Sequence, residues 1–360
     1  MLIVQLPEGL EPLLSTGNSK DIPSLYRRYL NTILHVNSWY DDDVFNPETK
    51  GYKSIRQVRA MHKRLQTSMN EKFKVNDCDG NPRLWFTQYD VAMTQFAFIG
   101  LAMLYPKKTA MIAATTEELE LINYYWRVLG YLTGVDDEYN ACHFEKYEDI
   151  RKFNELIFEH EFRESLDNVP CKKGLDMSQS ICTALHYFMP LLTFNNLAHW
   201  WKDHFKFNGY EPQPMSAREK VLDCWTRLSF NHLMKHEGFL RFSVKLHRRR
   251  FAKRCTNKDK VYEKLKAQYE NDAQHMFYSD RFDYFVEHKP DTVTANTFAQ
   301  DAGENVEGII SCRENDDNNN NNQEQVHIKR PVLDGCPFGY GSLSGQIAAP
   351  SADRETGVAA

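Results

Sequence analysis

The sequence lacks a strong excess of charge of either sign. Its 44 Lys and Arg residues face 49 Asp and Glu residues, which gives a formal net charge of -5. Such a balance creates no general attraction to nucleic acid or anionic lipid. Long hydrophobic runs are also missing, because the longest apolar stretch, 91–105, counts 15 residues and includes polar Thr94 and Gln95. A membrane-spanning helix needs roughly 20 residues. We therefore predict no nucleic-acid partner and no transmembrane segment in this chain.

Paired cysteine motifs and nucleotide-binding glycine loops are absent as well. The eight Cys residues are spread singly, and no secretory signal precedes them. This pattern favours unpaired thiols in a reduced compartment, so we expect an intracellular protein, either cytoplasmic or associated with the endoplasmic reticulum. The sequence also has no GxGxxG, GxxxxGK[ST], GxSxG or HExxH motif. Domain-like sequence begins at Met1, and we expect further sequence upstream.

Composition changes near residue 290. Residues 291–360 hold four basic and eleven acidic residues, three aromatic residues, and an asparagine run over 318–322. A segment of this kind buries too little apolar surface to offset the entropy of ordering. We therefore predict one domain over 1–290 and a disordered acidic, Asn-rich tail over 291–360.

Within 1–290 the hydrophobic period is helical, so the predicted fold class is all-α, a single multi-helix domain. Asp21 and Pro23 predict one helix start. Thr115 and Glu118 form a capping box, and Gly134 is placed to end the helix that follows. Further helices are predicted at 53–69, 88–105, 148–166, 177–204 (broken at Pro190), 216–246 and 258–287.

His62 interrupts an apolar stripe on the helix 53–69. The stripe consists of Ile55, Val58, His62, Leu65 and Met69, at steps of three and four residues. An inward imidazole needs a partner for each nitrogen. Two interpretations stay open, a hydrogen-bonded core histidine or a metal ligand. The face carries no Asp or Glu, which argues against an iron site built from carboxylates. It is compatible with iron that a porphyrin holds, because haem iron needs only one His from the protein.

A second polar set lies on the preceding helix. Arg28, Asn31, Thr32 and His35 follow at steps of three, one and three residues, so they share a face. An Arg in this position can pair with a haem propionate, and a Thr or Asn can hydrogen-bond dioxygen. An ordinary solvent-facing stripe is the alternative.

Three other features have a plain and a functional interpretation. His232 and His236, spaced four residues apart, are either an exposed pair or two metal ligands without an identifiable third. His199 is either a hydrogen-bonded core residue or a ligand. The basic run 245–254 is either a solvated face or a contact for anionic lipid heads at a membrane surface.

Four blocks of the sequence resemble one family of α-helical oxygenases. They are 26–32 (YRRYLNT), 52–62 (YKSIRQVRAMH), 86–96 (FTQYDVAMTQF) and 125–140 (YWRVLGYLTGVDDEYN). The family shares the rubber oxygenase (latex-clearing protein) catalytic domain with ER-bound oxygenase mpaB. The resemblance covers residues 10 to 240 approximately, as a distributed pattern of weak motifs.

The resemblance implies a globin-like helical core that holds haem b, with its iron, over the 1–290 domain. The Arg-x-x-His pattern at Arg59 and His62 implies that His62 is the iron ligand and that Arg59 belongs to the cofactor site. Arg28 and Thr32 match the distal Arg and Thr of the family, where Arg28 also meets the cofactor. Asn31 replaces the family's Lys, which implies an open or water-occupied sixth position and Asn31 hydrogen-bonding dioxygen.

The function expected from these features is that of a haem-dependent oxygenase. Its substrates would be dioxygen and a small apolar molecule, of isoprenoid type, cleaved at a carbon–carbon double bond. The catalytic residues are predicted to be Arg28, Asn31 and Thr32. Two alternatives stay open, a non-catalytic haem or lipophile carrier and a cofactor-free helical interaction module. The sequence does not set the oligomeric state.

Overall fold

The chain forms an all-α fold in a computed structural model, as its hydrophobic period predicts. The structure describes residues 2–76, 82–167, 172–269, 272 and 276–277. The predicted disordered tail, 291–360, lies outside these residues. Most of the second half of the predicted helix 258–287, from residue 270 onward, also lies outside them. Helices in the described part are α1 Pro7–Ser15, α2 Ile22–Asp41, α3 Lys50–Lys72, α4 Gln88–Leu104, α5 Thr116–Thr133, α6 Tyr147–Ile157, α7 Glu164–Asp167, α8 Lys172–Leu185, α9 Phe194–Phe205, α10 Ala217–Asn231, α11 Glu237–Cys255 and α12 Lys258–Tyr269.

Side-chain caps set the starts of the helices that matter for the site. The Asp21 carboxylate accepts a hydrogen bond from the Ser24 backbone N–H at 2.8 Å and starts α2. Thr115 and Glu118 form the predicted capping box of α5. Gly134, at φ 109°, ends the same helix in the left-handed region that favours glycine. These three local predictions are confirmed.

Two predicted helices are interrupted. The segment 216–246 is two helices, because a 3₁₀ turn at Leu233–Lys235 separates α10 from α11. The segment 148–166 contains a π-helical stretch, Phe158–Arg163, directly after α6. Phe158 and Phe162, four residues apart in this stretch, lie on one side of it, and both side chains are fully buried. The predicted break at Pro190 is confirmed, since α8 ends before it and α9 begins after it.

The apolar helix α4 packs against α5 and α6. Its residues Phe96 and Met103 are fully buried, and the Phe96 ring stacks on the Phe162 ring with centroids 5.0 Å apart. On α3, the inward stripe is confirmed for Ile55, Val58 and Met69, which are all buried. Helix α5, which packs on α4, also packs on α3, the helix that carries His62.

Helix α2 packs most extensively against α3, α8 and α12. On its α12 side, the Tyr26 hydroxyl donates to the Lys258 carbonyl at 3.2 Å. The Arg27 guanidinium lies over the Tyr262 ring, 3.3 Å from its centroid. Both faces of α2 are therefore occupied by other helices.

Contacts between residues divide the chain into two units, of which the first holds all twelve helices named above. In the second unit, the structure describes a short antiparallel hairpin. Its strands are β1 Val75–Asn76 and β2 Pro82–Arg83, with Val75 opposite Arg83 and Asn76 opposite Pro82.

Candidate functional site

The candidate site lies in the seam between α2 and α3. Ser54 of α3 is buried and joins two side chains of α2. The Trp39 indole N–H donates to Ser54 Oγ at 2.8 Å, and His35 Nδ1 lies 2.7 Å from the same oxygen. These contacts fix the register of two helices that run in opposite directions. Arg28 lies two turns before His35 on α2, and His62 lies a little more than two turns after Ser54 on α3. Because the helices run in opposite directions, both residues lie at the same end of the seam.

Arg28 enters this seam from α2. Its Nη1 donates to the Thr16 hydroxyl at 3.2 Å, while the Thr32 hydroxyl donates to the Arg28 carbonyl at 3.1 Å. Burial lowers the pKa of Arg28, but an arginine retains its charge at neutral pH. The seam therefore contains a fixed positive charge that no acidic side chain in the described residues pairs with.

His62 is the second member of the seam, and one of its ring nitrogens lacks a hydrogen-bond partner among the described residues. This nitrogen, Nδ1, is buried. Burial first, and then the Arg28 charge, lower the pKa of His62 to about 4, although a backbone hydrogen bond with Thr133 acts in the opposite direction. The imidazole is therefore neutral at physiological pH. A neutral imidazole with an unused nitrogen is the form of histidine that binds metals.

Phe86 borders His62 and has a strained backbone. The two rings meet edge to face, with centroids 5.2 Å apart. Phe86 has φ 54°, a left-handed conformation that is uncommon for a bulky residue. Gln66, one turn after His62 on α3, donates from Nε2 to the Phe86 carbonyl at 3.1 Å and holds this conformation. Strain of this kind is often stored beside functional sites.

The structure places the predicted site residues in two groups. Arg28 and His62 share the seam, and Thr32 lies one turn further along the same half-buried face of α2. Asn31 and Arg59 are exposed. The Arg59 Nη1 donates to the carbonyls of Tyr131 and Leu132, at 3.2 and 3.4 Å, so this side chain caps the end of α5.

Sequence reasoning missed two contributors to the site. Ser54 aligns the helices, and Phe86 contacts the imidazole. A small polar residue on an otherwise apolar helical face was a usable signal for Ser54. Nothing in the sequence around Phe86 indicates a positive φ.

The other histidines that the structure describes do not form a metal site. Among the described residues, no cluster of three or more His, Cys, Asp or Glu side chains can hold a metal ion. His232 and His236 are exposed and lie at the end of α10 and the start of α11, so they do not share one helical face. His199 Nε2 is hydrogen-bonded to the Gln213 carbonyl at 2.9 Å. A haem needs only one axial side chain from the protein, and His62 remains the candidate for it.

A separate cavity lies elsewhere in the helical unit. It measures about 640 Å³ and is bordered by α8, α9, α12 and the segment that leads into α10. Its wall is mixed, because the aromatic side chains of Tyr187, Phe194, Tyr210 and Tyr269 lie among polar ones such as that of Asn195. None of the predicted site residues lines it.

No family model, curated protein or solved structure matches this chain. The family resemblance therefore stays a prediction from four sequence blocks. In the part of the chain that the structure describes, no helix combines the length and apolar character that crossing a bilayer requires.

The lowered pKa of His62 makes stability depend on pH. Between its ordinary value of 6.5 and about 4, the unfolded chain binds a proton that the folded chain does not. Stability is therefore highest above pH 6.5 and falls as the pH falls, by about 2 kcal/mol down to about pH 4.5. Urea unfolding of the haem-free protein across this range measures the slope.

The variant His62→Leu should show a shallower slope than wild type. Some pH dependence will persist, because burial also lowers the pKa of His35. His232→Leu, at an exposed position, is the matched control and should retain the wild-type slope. Equal slopes in all three proteins would show that His62 is accessible to protons in the folded state.

Proposed function

We propose that this protein is a haem-dependent oxygenase that acts on an apolar substrate of isoprenoid type. By analogy with the family that the sequence resembles, the reaction is oxidative cleavage of a carbon–carbon double bond. One observation carries the proposal, the buried Nδ1 of His62 without a hydrogen-bond partner. It is the atom that a metal bound at this seam would satisfy.

His62 and Arg28 fit a haem in complementary ways. The neutral imidazole of His62 offers a lone pair for the iron, and burial together with the Arg28 charge keeps that imidazole unprotonated. The same guanidinium, paired with no acidic side chain of the described chain, is suited to a propionate carboxylate. Haem, when bound, supplies the activation of dioxygen. Phe86 shields one side of the imidazole from water through its ring contact.

The remaining residues have narrower proposed roles. The Thr32 hydroxyl donates its one proton to the Arg28 carbonyl, so its oxygen would act toward a ligand only as a hydrogen-bond acceptor. Asn31 is exposed and lies at the edge of this face, where it would meet dioxygen or substrate as they enter. Arg59 would reach a propionate only by leaving the two carbonyls that it caps.

Oxygen uptake tests the catalytic part of the proposal. Purified protein supplemented with haem should consume dioxygen when a polyprenyl substrate is added, and the products should carry new carbonyl groups. Protein without haem is the control and should consume none. A haem-loaded protein that consumes no dioxygen with this substrate contradicts the oxygenase proposal.

A second candidate function is favoured by the cavity of about 640 Å³, whose wall combines aromatic and polar side chains. A cavity of this size and lining suits a small apolar or amphipathic molecule, so a carrier without catalysis is the alternative. Binding of a polyprenyl ligand without oxygen uptake identifies the carrier. Protein that stays colourless after haem supplementation, and binds no ligand, identifies a cofactor-free helical interaction module.

We propose an intracellular location, cytoplasmic or at the endoplasmic reticulum. The support comes from cysteine usage. Cys142 is buried, Cys224 is exposed and Cys255 is half-buried, and these three are free thiols. Free thiols of this kind are typical of a reduced compartment.

A further inference from the structure

Helix α11 presents an outward face that combines cations with an aromatic ring. Phe242, Lys245, Arg249 and Lys253 follow at steps of three and four residues, so they share one side of the helix. Phe242 is 60% exposed, and the three cations are exposed too. Leu246 lies among them, one turn after Phe242. We call these five residues the basic face.

The opposite side of α11 is anchored to the helical unit, which fixes the direction of the basic face. The Phe251 ring packs against the Phe188 ring with centroids 5.6 Å apart. Arg254 donates to the Phe188 carbonyl, and Arg248 pairs with Asp41 at 2.8 Å. These contacts all lie on the inner side of α11 and fix its rotation about its own axis. Phe242 therefore stays on the outer side.

The charges of the basic face are unpaired within the described chain. No acidic side chain there lies within ion-pair distance of Lys245, Arg249 or Lys253, whereas Arg241 pairs with Glu237 and Arg248 with Asp41. Helix α11 holds seven Arg and Lys residues against one Glu. This concentration stands out in a chain whose formal net charge is -5. Within the described residues, the face therefore lacks an anionic partner.

We propose that the basic face binds the surface of a bilayer that contains anionic lipids. The combination of groups favours this partner over a nucleic acid. Cations alone would suit any polyanion, but an exposed Phe and a Leu among the cations suit the boundary between lipid headgroups and acyl chains. Phe242 enters that boundary, while Lys245, Arg249 and Lys253 meet lipid phosphates.

Co-sedimentation with vesicles tests the proposal on the whole 360-residue chain. Wild type should bind vesicles of phosphatidylcholine with phosphatidylserine and should not bind vesicles of phosphatidylcholine alone. The triple variant K245E/R249E/K253E should bind the anionic vesicles at least about tenfold more weakly. Phe242→Ser should weaken binding by a smaller factor and leave the dependence on phosphatidylserine in place.

A charge-matched control separates this face from net charge. The variant R218E/K220E/K235E changes three exposed cations of α10 and the following turn, and it should bind like wild type. Equal loss in both triple variants would overturn the proposal, because it would show a general charge effect. Binding of wild type to duplex DNA but not to vesicles would also overturn it. Circular dichroism verifies that each variant is helical, and Phe242→Ser carries the test if the triple variant unfolds.

Discussion

The variant His62→Ala is expected to lose the haem absorption band and the bound iron, while wild type supplemented with haem retains both. Removal of the imidazole deletes the proposed axial ligand and leaves Arg28 without the neutral ring beside it. We expect at least a tenfold loss of haem affinity, because the bond from iron to its axial ligand is the main specific contact of a b-type haem. An absorption spectrum and an iron assay on the same samples measure the effect.

Two further samples make this experiment specific. His232→Ala removes an exposed histidine outside the seam, and it should retain the wild-type spectrum and iron content. Free imidazole added to His62→Ala should restore part of the absorption band, since the small ligand fits the space that the side chain leaves. If His62→Ala and wild type give the same spectrum, His62 does not hold the iron, and the proposed site is wrong.

The largest effect on stability is expected for Gln95→Leu. Gln95 is a buried residue of α4, 6% exposed, with both ends of its amide in use. Its Nε2 donates to the Trp126 carbonyl at 2.7 Å, and its Oε1 accepts from the Ala141 backbone N–H at 3.1 Å. One side chain therefore joins α4 to α5 and to the segment that follows α5.

Leucine at this position has nearly the same size but neither polar group. The buried Ala141 N–H would lose its partner, and the Trp126 carbonyl would lose one of its donors. Each buried group left without a partner costs about 1–3 kcal/mol, so we expect the free energy of unfolding to fall by about 3 kcal/mol. Denaturant unfolding of wild type and variant at neutral pH measures the difference.

Gln179→Leu is the matched control for this substitution. It makes the same chemical change on α8, where the side chain is exposed. We expect it to change stability by less than about 0.5 kcal/mol. A midpoint for Gln95→Leu equal to that of the control would show that water or a backbone shift replaces both hydrogen bonds.

Local signals in the sequence predicted much of the helical framework. The caps at Asp21 and Thr115 and the left-handed end at Gly134 depend on side chains within a few residues, so they can be identified without tertiary information. The inward position of His62 also follows from the period of its neighbours. These predictions succeeded because the determining contacts are close in sequence.

Other features depend on contacts that are distant in sequence. Asn31 shares a helix side with Arg28 in a simple projection, but the packing of α3 covers only part of that side and leaves Asn31 exposed. Arg59 looks like a cofactor residue in its Arg-x-x-His pattern, yet it caps α5 through carbonyls more than seventy positions away. The positive φ of Phe86 is likewise held by Gln66 of another element.

The double packing of α2 links the candidate site to a remote part of the molecule. Tyr26 and Arg27 hold α12 on one side of this helix, and the adjacent residue Arg28 enters the seam with His62 on the other. The position of the guanidinium therefore depends on a neighbour that never contacts the imidazole. A modification or a ligand that separates α12 from α2 would therefore shift Arg28. Such a shift would change the electrostatic effect of its charge on His62.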